Sequence, residues 1–357
     1  MNIQDFLRFA VGQGASDVHL QGGTSPKLRI AGQLRNVEGN SVEAASLSSF
    51  LNAVIPGGPE ALARARETGS RLTFELPGLA RFRAAFYDQD GSPGVSLRVI
   101  PLTPPDLDSL RLPPVLRELA VARRGLTLVV GASGSGRSTT LAALVDQVNK
   151  TRSAVVVTIE APTEFVHKPD KSLFIHLDPG SEPGATALAI DRSLGLDPDV
   201  VVVGELDRTE EALRAVLSAV ESGRHVLASF RASSSIRAIE QLLEPVSLER
   251  RAAVKLRLAP ALEAIIGLRL AATKEGNRRP AVEVFRGVHQ TRELYLANRL
   301  DDIARLMAGR MSGMQEFDRE LLELYRSGQI SGTEALRLAT DPEALGADLQ
   351  VARRPSA

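Results

Sequence analysis

The chain has 357 residues, with 43 basic and 43 acidic side chains, and therefore a formal net charge of zero. This balance argues against a strongly basic nucleic-acid surface, although a local patch would not alter a neutral total. There is no Cys, which excludes disulfides and thiolate metal sites, and the five His residues lack ligand spacing. The length suffices for two domains or for one domain with appendages.

The N-terminus and the apolar runs bear on where the protein works. Residues 1–5 lack the basic region and apolar core of a signal peptide. No apolar run approaches the roughly 18 residues that cross a bilayer. We therefore expect a cytoplasmic protein without direct membrane insertion, whose role at a membrane would be exercised through a partner.

The first hundred residues predict a small α+β domain. Residues 2–13 alternate at helical spacing, and 41–54 predict a second helix with Ser41 as its N-cap. Short strands joined by turns with Gly and Pro are predicted at 18–20, 27–30, 72–76, 81–87 and 95–100. The proline-bearing stretch 101–113 predicts a stiff linker.

Residues 114–289 alternate strands and helices, which is typical of a doubly wound parallel sheet. Strands are predicted at 126–130, 154–159, 200–203, 225–229, 264–270 and 280–285. Helices are predicted at 138–149, 207–222 and 248–259. The segment 290–349 has only a helical pattern, and 350–357 predicts a disordered tail.

The most informative segment is 131–138, which reads Gly-Ala-Ser-Gly-Ser-Gly-Arg-Ser. It has every element of the phosphate-binding pattern G-x-x-x-x-G-K-[ST] except the lysine. The loop N–H groups and the following helix N-terminus would hold phosphate oxygens. A glycine-rich turn without a ligand is the alternative. The predicted nucleotide-binding residues are Ser133, Gly134, Ser135, Gly136, Arg137, Ser138 and Thr139.

Arg137 stands where the pattern has a lysine that touches the β- and γ-phosphates. A planar guanidinium is bulkier than an ammonium and is not a compact point charge. We therefore expect nucleotide to bind and hydrolysis to be slowed or abolished. Only six of the 43 basic residues are Lys, so composition alone is an alternative explanation of Arg137.

Three carboxylates follow predicted strands and are candidate catalytic residues. Glu205 follows the strand 200–203, where P-loop enzymes place an acid that faces Mg²⁺ and the attacking water. Glu160 and Glu164 follow the strand that ends at residue 159, where they could polarise water or bind a metal through water. For Glu205 the alternative is a strand that simply ends at a charged residue, and for Glu160 and Glu164 it is a solvated loop. The predicted Mg²⁺ site consists of Ser138 and, through water, Glu205.

Several segments together give the chain a family resemblance over residues 1–345. The matching segments are 14–20 (Gly-Ala-Ser-Asp-Val-His-Leu), 82–83, 97–101, 159–167, 197–205, 313–315 and 341–342. They resemble the opening A-S-D-[LV]-H, the arginine-bearing strands, the aspartate box, the Walker B segment and the C-terminal helices of PilT-type retraction ATPases of the type IV pilus. These ATPases belong to the type II/type IV secretion ATPase family.

The resemblance implies a PAS-like N-terminal domain, a RecA-like P-loop ATPase domain with C-terminal helices, and a hexameric ring. It implies ATP and Mg²⁺ as cofactors. It also implies that Arg83 and Arg98 act in trans and reach the γ-phosphate. Without the resemblance, both arginines are only alternating residues on a solvated sheet face.

The chain departs from the family pattern in the segments that are expected to contact phosphate or metal or to sense hydrolysis. The aspartate box E-D-P is Glu160-Ala161-Pro162 here, and the Walker B continuation G-E-x-R-D has its last two charges exchanged. The two box histidines correspond to Arg224 and Arg231, unless another register lets His225 replace the first. A permanent cation cannot switch its protonation as a histidine does. The retraction segment A-I-R-N-L-I survives only at Arg292 and Leu294.

We therefore predict an ATP-binding ring subunit of the type IV pilus machinery, with reduced or absent hydrolysis and a modulating role. The implied partners are further copies of this chain or a sister ATPase, and an inner-membrane platform protein that holds the ring peripherally at that membrane. An active hexameric motor for retraction and twitching motility is the alternative. A nucleic-acid motor is disfavoured by the neutral charge and by the lack of aromatic–basic interleaving.

Overall fold

The computed structural model describes residues 2–39, 41–180 and 182–353. The chain forms two compact units. The first contains the residues up to Pro104 together with Pro162–Val166, and the second contains Pro105–Ala161 and the residues from His167 onward. The domain limits that we inferred from the sequence remain a prediction.

The first unit is built on an antiparallel sheet. Its strands are β1 Ala15–Gln21, β2 Lys27–Ile30, β3 Gln33–Asn36, β4 Leu72–Leu76, β5 Ala80–Gln89 and β6 Ser92–Ile100, in the order β3-β2-β1-β6-β5-β4. Its helices are α1 Ile3–Gly12, α2 Ala44–Val54 and α3 Gly58–Thr68. Alternation along β5 buries Phe82 and leaves Arg83 half-buried on the opposite face.

The second unit is built on a mainly parallel sheet. Its strands are β7 Gly125–Gly131, β8 Val155–Ile159, β9 Leu173–Leu177, β10 Val200–Val203, β11 His225–Phe230, β12 Leu262–Ala272 and β13 Arg278–Arg286. The order is β13-β12-β7-β11-β10-β8-β9, and among the described strands of this sheet only the edge strand β13 pairs antiparallel. This arrangement brings the carboxyl ends of β7, β11, β10 and β8 to one edge.

Helices cover both faces of the second sheet. Within the sheet region they are α4 Val115–Ala120, α5 Arg137–Thr151, α6 Ala185–Ser193, α7 Glu210–Glu221, α8 Ser235–Leu243 and α9 Leu248–Ala261, with a 3₁₀ turn at Leu194–Leu196. Alternate strand residues serve the two faces: Val157 packs in the layer of α6 to α9, and Val156 in the layer of α4 and α5. Both layers are apolar, as a parallel sheet buried on two sides requires.

The chain from His289 onward is helical. It contains α10 His289–Leu296, α11 Leu300–Ala308, a 3₁₀ turn at Met311–Gly313, α12 Phe317–Arg326, α13 Gly332–Leu338 and α14 Pro342–Arg353. Phe317 and Leu321 pack with Ala271 and Ala281 of the sheet edge. Within the part of the chain that the structure describes, no helix is both long and apolar enough to cross a membrane.

Some sequence predictions are corrected by these elements. The second helix begins at Ala44 with Glu43 at its N-cap, so Ser41 does not cap it. The predicted linker contains Leu107 and Leu112, which are buried in the core of the second unit. Residues 350–353 belong to α14 rather than to a disordered tail, and 354–357 lie outside the described residues.

Candidate nucleotide-binding site

The predicted phosphate-binding loop lies between β7 and α5. Gly134 and Gly136 have φ of 78° and 99°, a left-handed conformation that side chains rarely adopt. A Cβ at Gly131 would lie 2.7 Å from the carbonyl oxygen of Leu268, so only glycine fits there. α5 begins at Arg137, and no side chain of the described residues caps it. Its first N–H groups are therefore available to an anion.

The predicted nucleotide-binding residues have different exposures along this loop. Ser133 and Gly134 are exposed, whereas Gly136, Ser138 and Thr139 are half-buried. The Ser135 hydroxyl is buried and has no hydrogen-bond partner among the described residues. The loop thus presents its backbone and the Ser138 hydroxyl at the carboxyl end of β7.

Polar residues from three neighbouring strands meet the loop at this edge. Arg231 follows β11, Glu205 lies just beyond β10, and Glu160 follows β8. A Cβ at Gly204 would lie 2.8 Å from Cγ of Glu160, so the Glu160 side chain packs against the backbone beside Glu205. Ala161 is exposed and adds no polar side chain where the family pattern has an aspartate.

Glu205 is held by two arginines, and we call Arg137, Glu205 and Arg231 the Glu205 cluster. Nη1 and Nη2 of Arg137 donate to Oε1 and Oε2 of Glu205, both at 3.1 Å. Nε of Arg231 donates to Oε1 at 2.9 Å. Arg137 is only 9% exposed, against 41% for Glu205 and 62% for Arg231. The cluster carries two positive charges and one negative charge.

The sequence of the chain matches a known protein family. Residues 2–329 match the family model described as type II/IV secretion system protein. The chain belongs to this family. The α/β fold class predicted from the sequence, with an N-terminal sheet domain, a parallel-sheet core and C-terminal helices, is confirmed by that match and by a solved structure.

Individual relatives refine the comparison. The type IV pilus retraction ATPase PilT of Pseudomonas aeruginosa is 31% identical over 345 residues, covering 96% of this chain and 99% of the relative. PilU of the same organism is 28% identical over 340 residues, covering 94% and 88%. The solved structure of the pilus retraction motor PilT with bound ADP superposes with a TM-score of 0.84 at 30% identity, covering 97% of this chain and 99% of that one.

In this chain the Glu205 carboxylate can accept few further hydrogen bonds. A carboxylate offers about four acceptor positions, and the two arginines use three of them. Its negative charge is also compensated by the two guanidinium groups. To orient a water molecule for attack, Glu205 would have to lose at least part of this pairing.

The same pairing decides how well the site fits Mg²⁺. A family-type metal would be held by the Ser138 hydroxyl and by the Glu205 carboxylate through water. A dication at that position would stand beside two guanidinium groups and be repelled by both. The donor set therefore does not fit the magnesium site predicted at Ser138 and Glu205.

Arg224 corrects one interpretation of the sequence. It precedes β11, at the amino end of the strand, and pairs with Asp197 at 2.9 Å. His225, the other candidate for the first box histidine, is buried at that end, with Nε2 3.3 Å from the Thr127 hydroxyl. Burial lowers the pKa of His225 to about 3, so it stays neutral. Of the two substituted box positions, only Arg231 lies at the loop edge.

The predicted trans-acting arginines lie side by side in the first unit. Arg83 on β5 is directly opposite Arg98 on β6. Arg83 forms an ion pair with Glu164, and Nε of Arg98 lies 3.3 Å from Oδ1 of Asp17. Burial lowers the pKa of Arg83, and Glu164 opposes this. Glu164 thus belongs with the N-terminal sheet, whereas Glu160 lies beside Gly204. The roles predicted for these residues stay predictions.

A cavity of about 510 Å³ opens beside the loop in the second unit, a volume suited to a small ligand. Its charged lining consists of Arg111, Glu275, Arg278 and Arg279. Nε and Nη1 of Arg279 are buried and have no hydrogen-bond partner among the described residues. This lining was not predictable from the sequence, because the turn before β13 carries no motif and only its adjacent arginines distinguish it.

Proposed function

We propose that this chain is an ATP-binding ring subunit of the type IV pilus machinery whose hydrolysis is slow or absent. It modulates retraction and does not drive it alone. The pairing of Glu205 with both Arg137 and Arg231 carries the proposal, since it occupies the residue that would position the attacking water.

Nucleotide binding is supported by the loop itself. Its glycines have the required backbone conformation, the N-terminus of α5 is uncapped by the described side chains, and a cavity adjoins Gly136 and Thr139. The similar pilus retraction motor PilT was solved with bound ADP. In this chain, the loop and α5 bind the phosphates, and the cavity is large enough for the nucleoside.

Weak chemistry follows from the residues around the phosphates. Arg137 is anchored to Glu205 rather than standing free as a point charge between phosphates. Glu160 and Glu164 remain candidates for polarising water, but Ala161 removes the second carboxylate of the aspartate box. We therefore expect ATP to bind without efficient turnover.

Ring assembly and the cellular partners complete the proposal. A hexamer of this chain, or a mixed ring with a sister ATPase, would let Arg83 and Arg98 approach a neighbour's nucleotide. The protein would act from the cytoplasm, held at the inner membrane by a pilus platform protein, and it needs neither nucleic acid nor membrane insertion. Resemblance to pilus retraction ATPases supports this role.

Two measurements on one preparation test the proposal. Calorimetric titration with ATP is expected to give a binding signal, and steady-state phosphate release is expected below the roughly 1 s⁻¹ lower end of typical enzymes. Expressed alone in cells that lack other retraction ATPases, the chain is expected not to restore twitching. Brisk hydrolysis that Glu205→Gln abolishes, together with restored twitching, would establish the active motor instead.

A further inference from the structure

We infer that nucleotide binding at this site does not depend on a divalent cation, because Arg137 and Arg231 supply the positive charge that Mg²⁺ supplies elsewhere. The inference rests on the proposed nucleotide-binding function and extends its ligand to the metal-free nucleotide. The observation behind it is that Glu205, which would hold Mg²⁺ through water, is already paired with Arg137 and Arg231.

The position of Arg137 is fixed by its surroundings. Its guanidinium is 9% exposed and forms two parallel hydrogen bonds with Glu205, which orient the plane of the group. The residue is also the first of α5, so the guanidinium and the Ser138 hydroxyl belong to the same helix start. Arg137 is thus an ordered cation at the loop, and not a mobile surface charge.

The cluster retains donors for phosphate oxygens. A guanidinium has five N–H groups, and Arg137 uses two of them on Glu205 while Arg231 uses one. Arg231 is positioned in turn by Arg208, which donates to the Arg231 main-chain carbonyl and lies over the Phe230 ring. Guanidinium groups bind phosphate through paired N–H donors, without an intervening metal.

The net charge of the Glu205 cluster indicates whether nucleotide binding needs a metal in addition to the two arginines. Glu205 neutralises one of the two guanidinium charges, so the cluster presents a net charge of +1 to an anion. Adding Mg²⁺ would raise the charge of the cluster itself to +3, of which the adjacent Glu160 carboxylate would offset one unit. Because Glu205, the protein ligand of the metal, is already paired with the arginines, Mg²⁺ adds little to the binding of the polyphosphate. We therefore expect the affinity for ATP to be similar with and without Mg²⁺.

The test is calorimetric titration of ATP into the full-length protein, once in excess Mg²⁺ and once in excess EDTA. The wild type is expected to give dissociation constants within about threefold of each other, since paired guanidinium donors replace the metal contact. The double variant Arg137→Lys with Arg231→His removes the two-point pair and leaves Glu205 at most one contact with an ammonium. It is expected to lose at least about tenfold in affinity in EDTA, with Mg²⁺ restoring it.

Arg237→Ala is the matched control, because Arg237 is an exposed arginine of the same unit paired with Glu240, and it should behave as the wild type. Titration of Mn²⁺ alone is expected to give no signal with the wild type. ATP binding only in Mg²⁺, or Mn²⁺ binding at the Glu205 cluster, would overturn this inference and leave the proposed nucleotide site intact. Absence of ATP binding in both buffers would overturn both.

Discussion

Arg137 and Glu205 are joined by two parallel hydrogen bonds of 3.1 Å, which connect the first residue of α5 to the end of β10. A guanidinium this buried needs a hydrogen-bonded counter-charge. A lysine at the same position would offer an ammonium that cannot contact both carboxylate oxygens in this planar geometry. The substitution in the loop and the retained glutamate are therefore parts of one arrangement, which also involves Arg231.

The strength of this pair is measurable by a double-mutant cycle with Arg137→Gln and Glu205→Gln. We expect a coupling free energy of unfolding of about 1–2 kcal/mol without nucleotide, more than an exposed pair gives, because one partner is buried. The measurement is urea unfolding of the four proteins. The cycle with Arg237 and Glu240, an exposed pair three residues apart on α8, is the control and should give below about 0.5 kcal/mol. Equal coupling in the two cycles would contradict the structural role of the Arg137 pair.

Under the proposed function, turnover depends on whether Glu205 is released from both arginines. We expect Arg137→Lys alone to raise phosphate release little, because Arg231 still holds Oε1 of Glu205. Arg231→His alone leaves the two-point pair in place. The double variant should raise the rate more than the product of the two single effects, since only it frees both oxygens. Phosphate release by the four proteins checks this, with Glu205→Gln added to the double variant as the control that should remove any gain.

Much of the fold and of the loop was predictable from the sequence, because the relevant signals are local. Apolar runs located β7, β10 and β11, and the glycine spacing located the phosphate-binding loop. The strand β9 was missed because its residues are half-buried or exposed. The helix α6 was missed although its buried residues Ala187, Ile190 and Ser193 recur at helical spacing, because Ala and Ser give little apolar signal. The pairing of Arg137 with Glu205 joins residues 68 positions apart. Only the order of the strands brings them together, so no sequence pattern revealed it.

Arg98 and Arg29 allow a test of the proposed trans-acting role. Both contact Asp17, at 3.3 Å and 4.0 Å, and the two side chains are each 39% exposed. We expect each alanine variant to lose less than about 1 kcal/mol of stability, as exposed ion pairs do. Of the two variants, only Arg98→Ala should weaken nucleotide-dependent assembly, because Arg98 is proposed, with Arg83, to approach a neighbour's nucleotide. Light scattering with and without ATP checks this, and equal assembly of the two variants would argue against a role in trans.

Glu283 gives the second unit a pH-dependent stability. Glu283 lies on β13 directly opposite Gly267 of β12, where the Phe317 ring also packs. Its Oε2 accepts a 2.6 Å hydrogen bond from the N–H of Ser235 at the start of α8. Burial raises the pKa of Glu283 to about 7, with Arg269 and the Ser235 hydrogen bonds opposing the rise and Glu316 adding to it. The folded protein therefore retains a proton that the unfolded chain releases near its ordinary value of 4.5.

The sign of the effect follows from this raised pKa. The stabilisation is fully present below about 4.5 and is lost as the pH rises through about 7. Glu283→Gln imitates the protonated side chain, so it should match the wild type near pH 4.5 and be more stable by about 2–3 kcal/mol at pH 8. Urea unfolding across this range measures the difference. Glu334→Gln is the control of opposite sign: the Arg337 hydrogen bond lowers the pKa of Glu334, so its stabilisation is present above the ordinary value and is lost toward acid. A Glu283→Gln difference that stays constant from pH 4.5 to 8 would show that this carboxyl group does not hold its proton in the folded state.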